Sequence, residues 1–334
     1  MDLSGLQKEL LELLSDGAFH SGSELAAILN STRTAIWKQI KGFKHLGIDV
    51  AAVSGKGYRL PYAMDLLNEI SITSNLQPAV KALLTRFHVY DEIDSTSNYL
   101  INDAAATSGT VCLAECQSAG RGRTGKNWVS PFGTNIYLSI LWRFESGVAS
   151  ISGLSLAMGV AVVRALKRYR LVGLGLKWPN DILCNHRKLG GILIEVRGDI
   201  LGPCMVIVGL GLNCQMPSKS GNLISQSWVD LEQILGSARP NRNVLVAQLL
   251  NEIFPIISNF DEIGLEPYLS EWRSKDCMVG RQASLTLGNQ QIRGRIEGID
   301  DLGMIILQTD SQGRQSFASG EVSFNLDCPH EPVA

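Results

Sequence analysis

Apolar side chains repeat at helical spacing over the first 60 residues and predict three short helices. The first, carried by leucines between residues 3 and 14, is expected to end near Asp16-Gly17. The run HSGSELAAIL predicts a second helix capped by Ser21 or Ser23, and a third follows the turn NST and ends at Gly47. The segment IDVAAVSGKGYRL predicts two extended runs around a Gly-Lys-Gly tip. Together these elements predict a winged helix-turn-helix.

From about residue 86 the pattern changes to short apolar runs that are separated by tight turns. Seven runs predict strands: RFHVYDEI, TVCLAEC, TNIYLSILWRF, LGLKW, DILCN, KLGGILIEV and CMVIVGLGLN. Helices are predicted at Asn98–Ala106, Leu154–Tyr169, Val244–Phe260 (interrupted by Pro255) and Glu266–Lys275. Because several strands are joined by turns as short as Asn185-His186, a mixed or antiparallel sheet is favoured over regular βαβ alternation.

After residue 276, apolar and polar residues alternate between glycine turns, which predicts a small β-barrel. The whole pattern therefore predicts an α+β protein. Its expected parts are a winged helix-turn-helix (1–62), a helical connector (63–85), a central α/β domain with a mixed sheet (86–275) and the barrel (276–328). A length of 334 residues is enough for two to three domains.

A net charge of −2 hides a basic segment within the predicted winged helix. Between Ser31 and Leu60 there is one acid, Asp49, and the six basic residues are Arg33, Lys38, Lys41, Lys44, Lys56 and Arg59. A basic run is most often a solvated face, and a small helical module can also serve protein interaction or dimerisation. On this scaffold the charge favours DNA binding. We expect the DNA contacts to come from Ser31, Thr32, Arg33, Thr34, Lys38 and Lys56.

The seven cysteines are scattered, with no C-x-x-C pair, which argues against a disulfide framework or a zinc ribbon. They are Cys112, Cys116, Cys184, Cys204, Cys214, Cys277 and Cys328. No signal-peptide pattern opens the chain. The most apolar helix, around Ile151 to Val163, ends at Arg164 and is predicted to be too short to span a bilayer. We expect a cytoplasmic protein with reduced thiols and no membrane partner.

The stretch AGRGRTGKNW, residues 119–128, has the spacing G-x-G-x-x-G of a dinucleotide-binding turn. That turn must open a helix, whereas here a proline, a glycine and a β-rich run follow. No P-loop pattern is present either. The segment is therefore predicted to be a flexible glycine loop whose Arg121, Arg123 and Lys126 suit a phosphate-bearing ligand. The alternative is an exposed basic loop with no special role.

Two further constellations carry possible chemistry. Asp94, Ser95 and Thr96 lie at a strand-to-helix junction, where hydroxyls and backbone N–H groups can bind a polar ligand or simply cap the helix. Lys188 interrupts an apolar, glycine-containing strand, where a buried ammonium needs an anionic partner. A ligand carboxylate or phosphate would supply that partner.

These stretches resemble the motifs of biotin–protein ligases in order and spacing: DSTSN, AECQSAGRGRTGKNW, SPFGTNIYLS, KWPNDILCNHRKLGGILIE and VGLGLN. With the winged helix in front, the chain is similar to the bifunctional type that also represses the biotin operon. Lipoate ligases share the fold family, but their glycine-triplet pattern is not seen here. The resemblance implies a class II synthetase-like central domain and an SH3-like barrel.

The resemblance also implies a two-step reaction. The biotin carboxylate attacks the α-phosphate of Mg²⁺-ATP to give biotinyl-5′-AMP, and a lysine of the biotin carboxyl carrier protein of acetyl-CoA carboxylase then attacks this anhydride. No protein nucleophile and no metal-ligating side chains are expected. The adenylate-bound form is expected to be a homodimer that binds operator DNA of the biotin operon.

Motif matching assigns residues to these roles. The biotin-binding set is Ser95, Thr96, Ser97, Gln117, Arg121, Gly122, Arg123 and Lys188. The catalytic set is Lys188, Arg123, Arg121 and Asp181, with the glycines as hinges for the arginines and Asp181 as a proton acceptor for the incoming lysine. The ATP and adenylate set is Trp128, Asn180, Lys188 and Asn213. Trp128 and Trp178 could equally be core residues.

Three positions depart from the family pattern. Thr124 and Asn127 make the glycine loop less basic than in some relatives. Trp37 lies on the predicted recognition helix, where a small polar residue is expected. Trp37 leaves open the operator sequence and the alternative of a ligase whose N-terminal unit binds no DNA. A separate alternative is a DNA-binding sensor without catalysis. The intact GRGR and KWPND motifs and Lys188 argue against the second.

Overall fold

A computed structural model of the chain describes residues 3–198 and 202–324. The chain divides into two compact units. The first comprises the described residues of Met1–Trp142 and Ile207–Asn251, and the second those of Arg143–Val206 and Glu252–Ala334. Cys328 and the last residues of the predicted barrel, 325–328, lie outside the described residues.

The helices and strands are named here in chain order. The helices are α1 (Gly5–Leu14), α2 (Gly22–Ile28), α3 (Arg33–Gly42), α4 (Glu69–Ser74), α5 (Pro78–Leu83), α6 (Thr96–Asn102), α7 (Leu154–Leu166), α8 (Ser218–Gly221), α9 (Leu231–Leu235), α10 (Arg242–Ile263) and α11 (Glu266–Lys275). The strands are β1 (Ala51–Val53), β2 (Gly57–Arg59), β3 (Arg86–Ile93), β4 (Thr110–Gln117), β5 (Ile136–Phe144), β6 (Leu174–Lys177), β7 (Asp181–Cys184), β8 (Arg187–Gly198), β9 (Cys204–Leu212), β10 (Gln282–Leu287), β11 (Gln290–Ile299), β12 (Ile305–Thr309), β13 (Gly313–Phe317) and β14 (Glu321–Phe324).

The first unit begins with the predicted winged helix-turn-helix. Ser21 caps α2 and Thr32 caps α3, each by accepting a hydrogen bond from a backbone N–H three residues on. A single 3₁₀ turn extends α3 to Gly47, whose φ of 76° ends the helical run as expected. Strands β1 and β2 pair antiparallel to form the wing. The core of this part is a cluster of leucines, isoleucines and phenylalanines from all three helices.

The sheet strands of the first unit form a mixed arrangement. Strand β3 is parallel to β4, β4 is antiparallel to β5, and β9 lies next to β5. Strand β4 is buried from Thr110 to Glu115 and β5 from Ile136 to Leu141, which explains why both sequences are nearly continuously apolar. The predicted mixed sheet is confirmed.

A buried ion pair anchors the connector that follows the winged helix. Arg242, 1% exposed, lies 2.6 Å from the carboxylate of Glu115, which also accepts a hydrogen bond from the backbone N–H of Leu67. Arg242 donates further to the carbonyl oxygens of Asn135 at 2.8 Å and Asp65 at 2.6 Å. Burial alone would lower the pKa of Arg242, but the carboxylate of Glu115 outweighs it and raises the pKa. Residues 65–67 are thereby fixed to β4 and to the start of α10.

The second unit contains an antiparallel group of strands and a small all-β part. Strands β6, β7 and β8 pair in that order, and the turn Asn185-His186 between β7 and β8 has φ of 48° and 61°. Helix α7 is almost fully buried, and Glu266–Lys275 forms α11 as predicted. Five antiparallel strands follow in the order β13-β12-β11-β10-β14.

Three helix predictions were wrong. The helix expected at Asn98–Ala106 is α6, which begins at Thr96 because Ser95 caps it and ends at Asn102. Pro255 does not interrupt α10, because buried apolar residues on both sides of it hold the helix together against a proline penalty of about 3 kcal/mol. The helical stretch Val148–Tyr169 has 22 residues and contains an 18-residue window with a mean hydropathy of 1.7, so by length and composition alone it could cross a membrane. Because 61% of that window is buried in the protein, we assign the stretch as a core helix.

Candidate functional site

A group of buried hydroxyls surrounds Gln117 at the end of β4. The backbone N–H of Thr96 donates to Gln117 Oε1 at 2.9 Å, and Thr96 Oγ1 lies 2.7 Å from Ser139 Oγ. Ser97 Oγ lies 3.0 Å from the same Ser139 oxygen, while Ser95 caps α6. All four hydroxyl side chains are at most 5% exposed. The first unit therefore brings Ser95, Thr96, Ser97 and Gln117 together, as the motifs predict.

Two members of this hydroxyl group were missed by sequence reasoning. Ser139 is the single serine of the apolar strand β5, and Ser130 accepts a hydrogen bond from Gln117 Nε2 at 3.1 Å. A buried hydroxyl needs hydrogen-bond partners. A lone serine inside an apolar strand is therefore the sequence signal from which this group could have been found. Because hydroxyls both donate and accept, the group can adapt to a small ligand with mixed polar edges.

The glycine loop is folded as a small closed turn. The N–H of Gly122 donates to the carbonyl of Lys126 at 2.6 Å, and the N–H of Trp128 donates to the carbonyl of Gly120 at 2.9 Å. No α-helix begins here, as predicted; Arg123–Gly125 form a tight turn in which Thr124 has a φ of 53° and Gly125 a φ of 75°.

Gly120 is a packing position rather than the hinge expected from the sequence. A Cβ atom there would lie 2.6 Å from the carbonyl oxygen of Trp128 and 2.7 Å from Ser130 Oγ. Glycine is therefore required because the backbone of residue 128 approaches closely. Gly125 fits the hinge description better, because its φ is 75° and a Cβ atom there would meet no other atom within 4 Å.

Trp128 packs its indole ring on strand β9. A Cβ atom at Gly211 would lie 2.3 Å from Trp128 Cε2 and 2.5 Å from Cζ2, so the ring occupies the space that a side chain would fill. Trp128 is half-buried and keeps part of its surface accessible. Trp128 is therefore not a plain core residue, because part of its ring is exposed. It also has a packing role on the sheet beside any contact with the adenylate.

In the second unit Lys188 has an anionic partner that the sequence prediction did not foresee. Its Nζ lies 2.7 Å from Asp181 Oδ1, and the Nζ of Lys177 lies 3.8 Å from the other Asp181 oxygen. Lys188 pairs with Leu183 across β7 and β8, which places it diagonally opposite Asp181, beside a β-bulge. The need of Lys188 for an anionic partner is met within the protein by a carboxylate of the neighbouring strand, where the sequence analysis named a ligand carboxylate or phosphate.

Asp181 and Lys177 line a small cleft in the second unit together with Asn180 and Ile192. The side-chain amide of Asn180 donates to the carbonyl of Ile192 at 2.7 Å, which ties the turn to β8. Trp178 is 2% exposed and donates to the carbonyl of Gly303 at 2.9 Å, so it is a core residue.

Asn213, at the end of β9 in the first unit, is 2% exposed and donates to the carbonyl of Val229 at 3.1 Å. Its side chain holds the chain segment that follows β9. The assignment of Asn213 to ATP binding stays a prediction.

The exposed face of α3 carries the residues predicted to contact DNA. Arg33, Thr34 and Lys38 are exposed, and Lys56 lies in the wing. The Thr32 hydroxyl accepts a hydrogen bond from the N–H of Ala35 at 3.1 Å, so it serves as a helix cap. Ser31 lies beside it, half-buried.

The cysteines of the described residues are free thiols. Burial raises the pKa of Cys214 to about 12 and that of Cys116 to about 11. Within the described ranges no cluster of three or more His, Cys, Asp or Glu residues is arranged to hold a metal ion.

Comparison with known proteins decides the family. The model of the biotin/lipoate A/B protein ligase family matches residues 89–213, that of the biotin protein ligase C terminal domain matches 279–325, and an HTH domain matches 6–59. The bifunctional ligase/repressor BirA of Escherichia coli (strain K12) is 38% identical over 303 residues, which cover 90% of this chain and 92% of that protein. This chain belongs to the biotin protein ligase family.

Other family members agree. The bifunctional ligase/repressor BirA of Bacillus subtilis (strain 168) is 30% identical over 323 residues, 96% of this chain and 98% of that protein. The biotin protein ligase from Aquifex aeolicus, solved in complex with biotin and ATP, is 28% identical, with a TM-score of 0.61, and matches 72% of this chain and 98% of that chain. The expected family, fold class and enzyme class are confirmed.

Proposed function

We propose that this protein activates biotin with ATP to biotinyl-5′-AMP and pyrophosphate, and then transfers biotin to one lysine of the biotin carboxyl carrier protein of acetyl-CoA carboxylase, in the cytoplasm. The identity of 38% to a bifunctional ligase/repressor over nearly the full length of both chains carries this proposal. The biotin and ATP in the related Aquifex aeolicus complex support the choice of substrates.

In the first unit we assign the hydroxyl group around Gln117 to biotin recognition. Its members are buried and already hydrogen-bonded to one another, so binding requires little reorganisation. Arg121, Gly122 and Arg123 belong to the loop that would cover the biotin carboxylate and the phosphate. Two guanidinium groups suit this task because each can donate two parallel hydrogen bonds to an anion.

In the second unit we assign Lys188 to stabilise negative charge on the biotin carboxylate and the α-phosphate. Asp181 holds Lys188 in place at 2.7 Å, and we assign its carboxylate to accept a proton from the incoming amine. Asn180 and Trp128 stay proposals for the adenylate. Mg²⁺ would enter with ATP, held by phosphate oxygens and water.

The ligase proposal is tested by ATP-dependent transfer of labelled biotin to a carrier-protein lysine. In Lys188→Gln we expect a rate of adenylate formation about 10²–10³ lower, because a preorganised charge at the reacting centre is lost. Lys81→Gln, which removes an exposed lysine of α5, is the matched control and should keep the wild-type rate. Absence of ATP-dependent transfer by the wild-type protein would refute the proposal.

We also propose that the adenylate-bound protein forms a homodimer and represses the biotin operon by binding its operator. The exposed basic face of α3 and the wing favour this function over a ligase with an inert N-terminal unit. A gel shift with the biotin biosynthesis promoter, with and without biotin and ATP, tests it. If no shift depends on biotin and ATP together, the protein is a ligase only.

The division into domains at residues 62, 85 and 275 is part of the same proposal. These boundaries are supported by three elements: β2 ends at Arg59, β3 begins at Arg86 and α11 ends at Lys275.

A further inference from the structure

Trp37 is an exposed tryptophan on the helix that the proposed repressor function places against DNA. Its side chain is 47% exposed, whereas Ile36 and Ile40 of the same helix are at most 8% exposed and face the core. Trp37 is therefore a large apolar surface on α3 that packing of the winged helix does not require. The proposed functions assign it no role.

A cation holds the ring of Trp37. Lys41, one helical turn further on, places its Nζ 3.8 Å from the ring centroid, and Arg33 lies one turn before it on the same row. A lysine at this distance over an indole gives a favourable cation–π contact and restricts the rotamers of the ring. The tryptophan is thus preorganised on the surface of α3.

The charges around Trp37 indicate the kind of partner. Six basic residues and one acid lie between Ser31 and Leu60, and Arg33, Thr34 and Lys38 are exposed on the same helix. A protein-binding patch would be expected to have apolar neighbours, whereas a polar and basic surround is complementary to a polyanion. Duplex DNA is therefore the partner that the surface fits.

We propose that Trp37 reads a thymine in the major groove by packing its indole against the C5-methyl group. This inference rests on the proposed binding of operator DNA. The major groove admits an α-helix, and the methyl group of thymine is the one apolar feature that bases present there. Arg33, Thr34 and Lys38 reach base edges or phosphates beside it, and Trp37 adds an apolar contact that fixes one position of each half-site.

The test begins with selection of duplexes from a random library by the full-length protein with biotin and ATP. Each thymine of a selected duplex is then replaced singly by deoxyuridine, which removes only the methyl group. For the wild-type protein we expect one position per half-site at which the replacement weakens binding about fourfold, which corresponds to burial of one methyl-sized group.

Variants at position 37 identify the residue responsible. Trp37→Ala should bind the selected duplex about tenfold more weakly and should be insensitive to deoxyuridine at that position. Trp37→Phe should retain sensitivity, because it keeps an apolar ring. The matched control is Ile70→Ala, which removes another exposed apolar side chain, 78% exposed, outside the winged helix, and should leave binding unchanged. Adenylate formation shows that the ligase part of each variant is folded, and far-UV circular dichroism shows that the winged helix keeps its helices.

The outcomes separate this inference from the repressor proposal. If the wild-type protein selects duplexes but Trp37→Ala keeps the same affinity and the same thymine sensitivity, the inference is wrong and the repressor proposal stands. If Trp37→Ala changes self-association in sedimentation but not thymine sensitivity, the residue is a protein contact and the inference is again wrong. If the wild-type protein selects no duplex, both proposals fail.

Discussion

The packing of Trp128 on Gly211 allows one substitution to move a proposed site residue without altering it. In Gly211→Ala the new Cβ would lie 2.3 Å from the indole, so the ring must move by at least about 1.1 Å to reach ordinary contact at 3.4 Å. Displacement of about 1 Å can lower a rate about a hundredfold when the moved group positions a substrate. We expect a decrease of that order in adenylate formation.

The free energy of unfolding of Gly211→Ala should fall by at most about 2.5 kcal/mol, which leaves the protein folded. Alanine is favoured over glycine in a strand by about 0.5–1 kcal/mol, and overpacking a rigid site opposes this by about 1–3 kcal/mol. Single-turnover formation of biotinyl-5′-AMP measures the rate, and the fluorescence difference from the matching Trp128→Ala protein isolates the signal of the Trp128 ring among the six tryptophans. Gly5→Ala, where no atom lies within 4 Å of the added carbon, is the matched control.

The decisive comparison is made in a Trp128→Ala background. There the clash is absent, so adding Gly211→Ala should cause no further loss. A wild-type rate in Gly211→Ala, or an equal loss in both backgrounds, would refute the view that the position of the Trp128 ring matters.

Two further predictions concern buried charges. Glu115→Gln should lower the free energy of unfolding, measured by urea titration, by about 3–5 kcal/mol, because it leaves Arg242 charged and buried. The control Glu297→Gln, in an exposed ion pair, should change the free energy of unfolding by less than about 1 kcal/mol. Equal effects of the two substitutions would contradict the reasoning. Burial raises the pKa of Asp276 from 3.8 to about 6, so the folded state binds the proton more tightly than the unfolded state. The free energy of unfolding should therefore fall as pH rises from about 4 to about 6, and Asp276→Asn should flatten that slope; an unchanged slope would exclude Asp276 as its source.

The strands and most helices could be predicted because their local patterns and their packing agree. Arg86–Ile93 and Glu266–Lys275 begin and end where the sequence pattern does, since turn or capping residues flank a uniform run. Pro255 was misjudged because proline is a local signal, whereas the burial that keeps α10 intact comes from contacts distant in sequence.

The site was predictable as a set of motifs but not as a set of contacts. Lys188 was correctly recognised as needing an anion, but its pairing with Asp181 depends on strand register and a bulge, which no local pattern encodes. Ser139 was overlooked because its role is defined by hydroxyls 42 and 43 residues away. Gly120 was interpreted as a hinge because spacing does not reveal how closely the backbone of Trp128 approaches.

The anchoring of the connector has a consequence for protein engineering. Asp65 and Leu67 precede the ligase strands in sequence, yet inside the first unit the carbonyl of Asp65 accepts a hydrogen bond from Arg242 and the N–H of Leu67 donates one to Glu115. A truncated ligase that starts after residue 68 would lack these two hydrogen-bond partners of the buried ion pair, whereas one that starts just before Asp65 would keep them. A chimera that exchanges the winged helix for another DNA-binding module should therefore place its junction upstream of Asp65, and the graft would then inherit an intact attachment point.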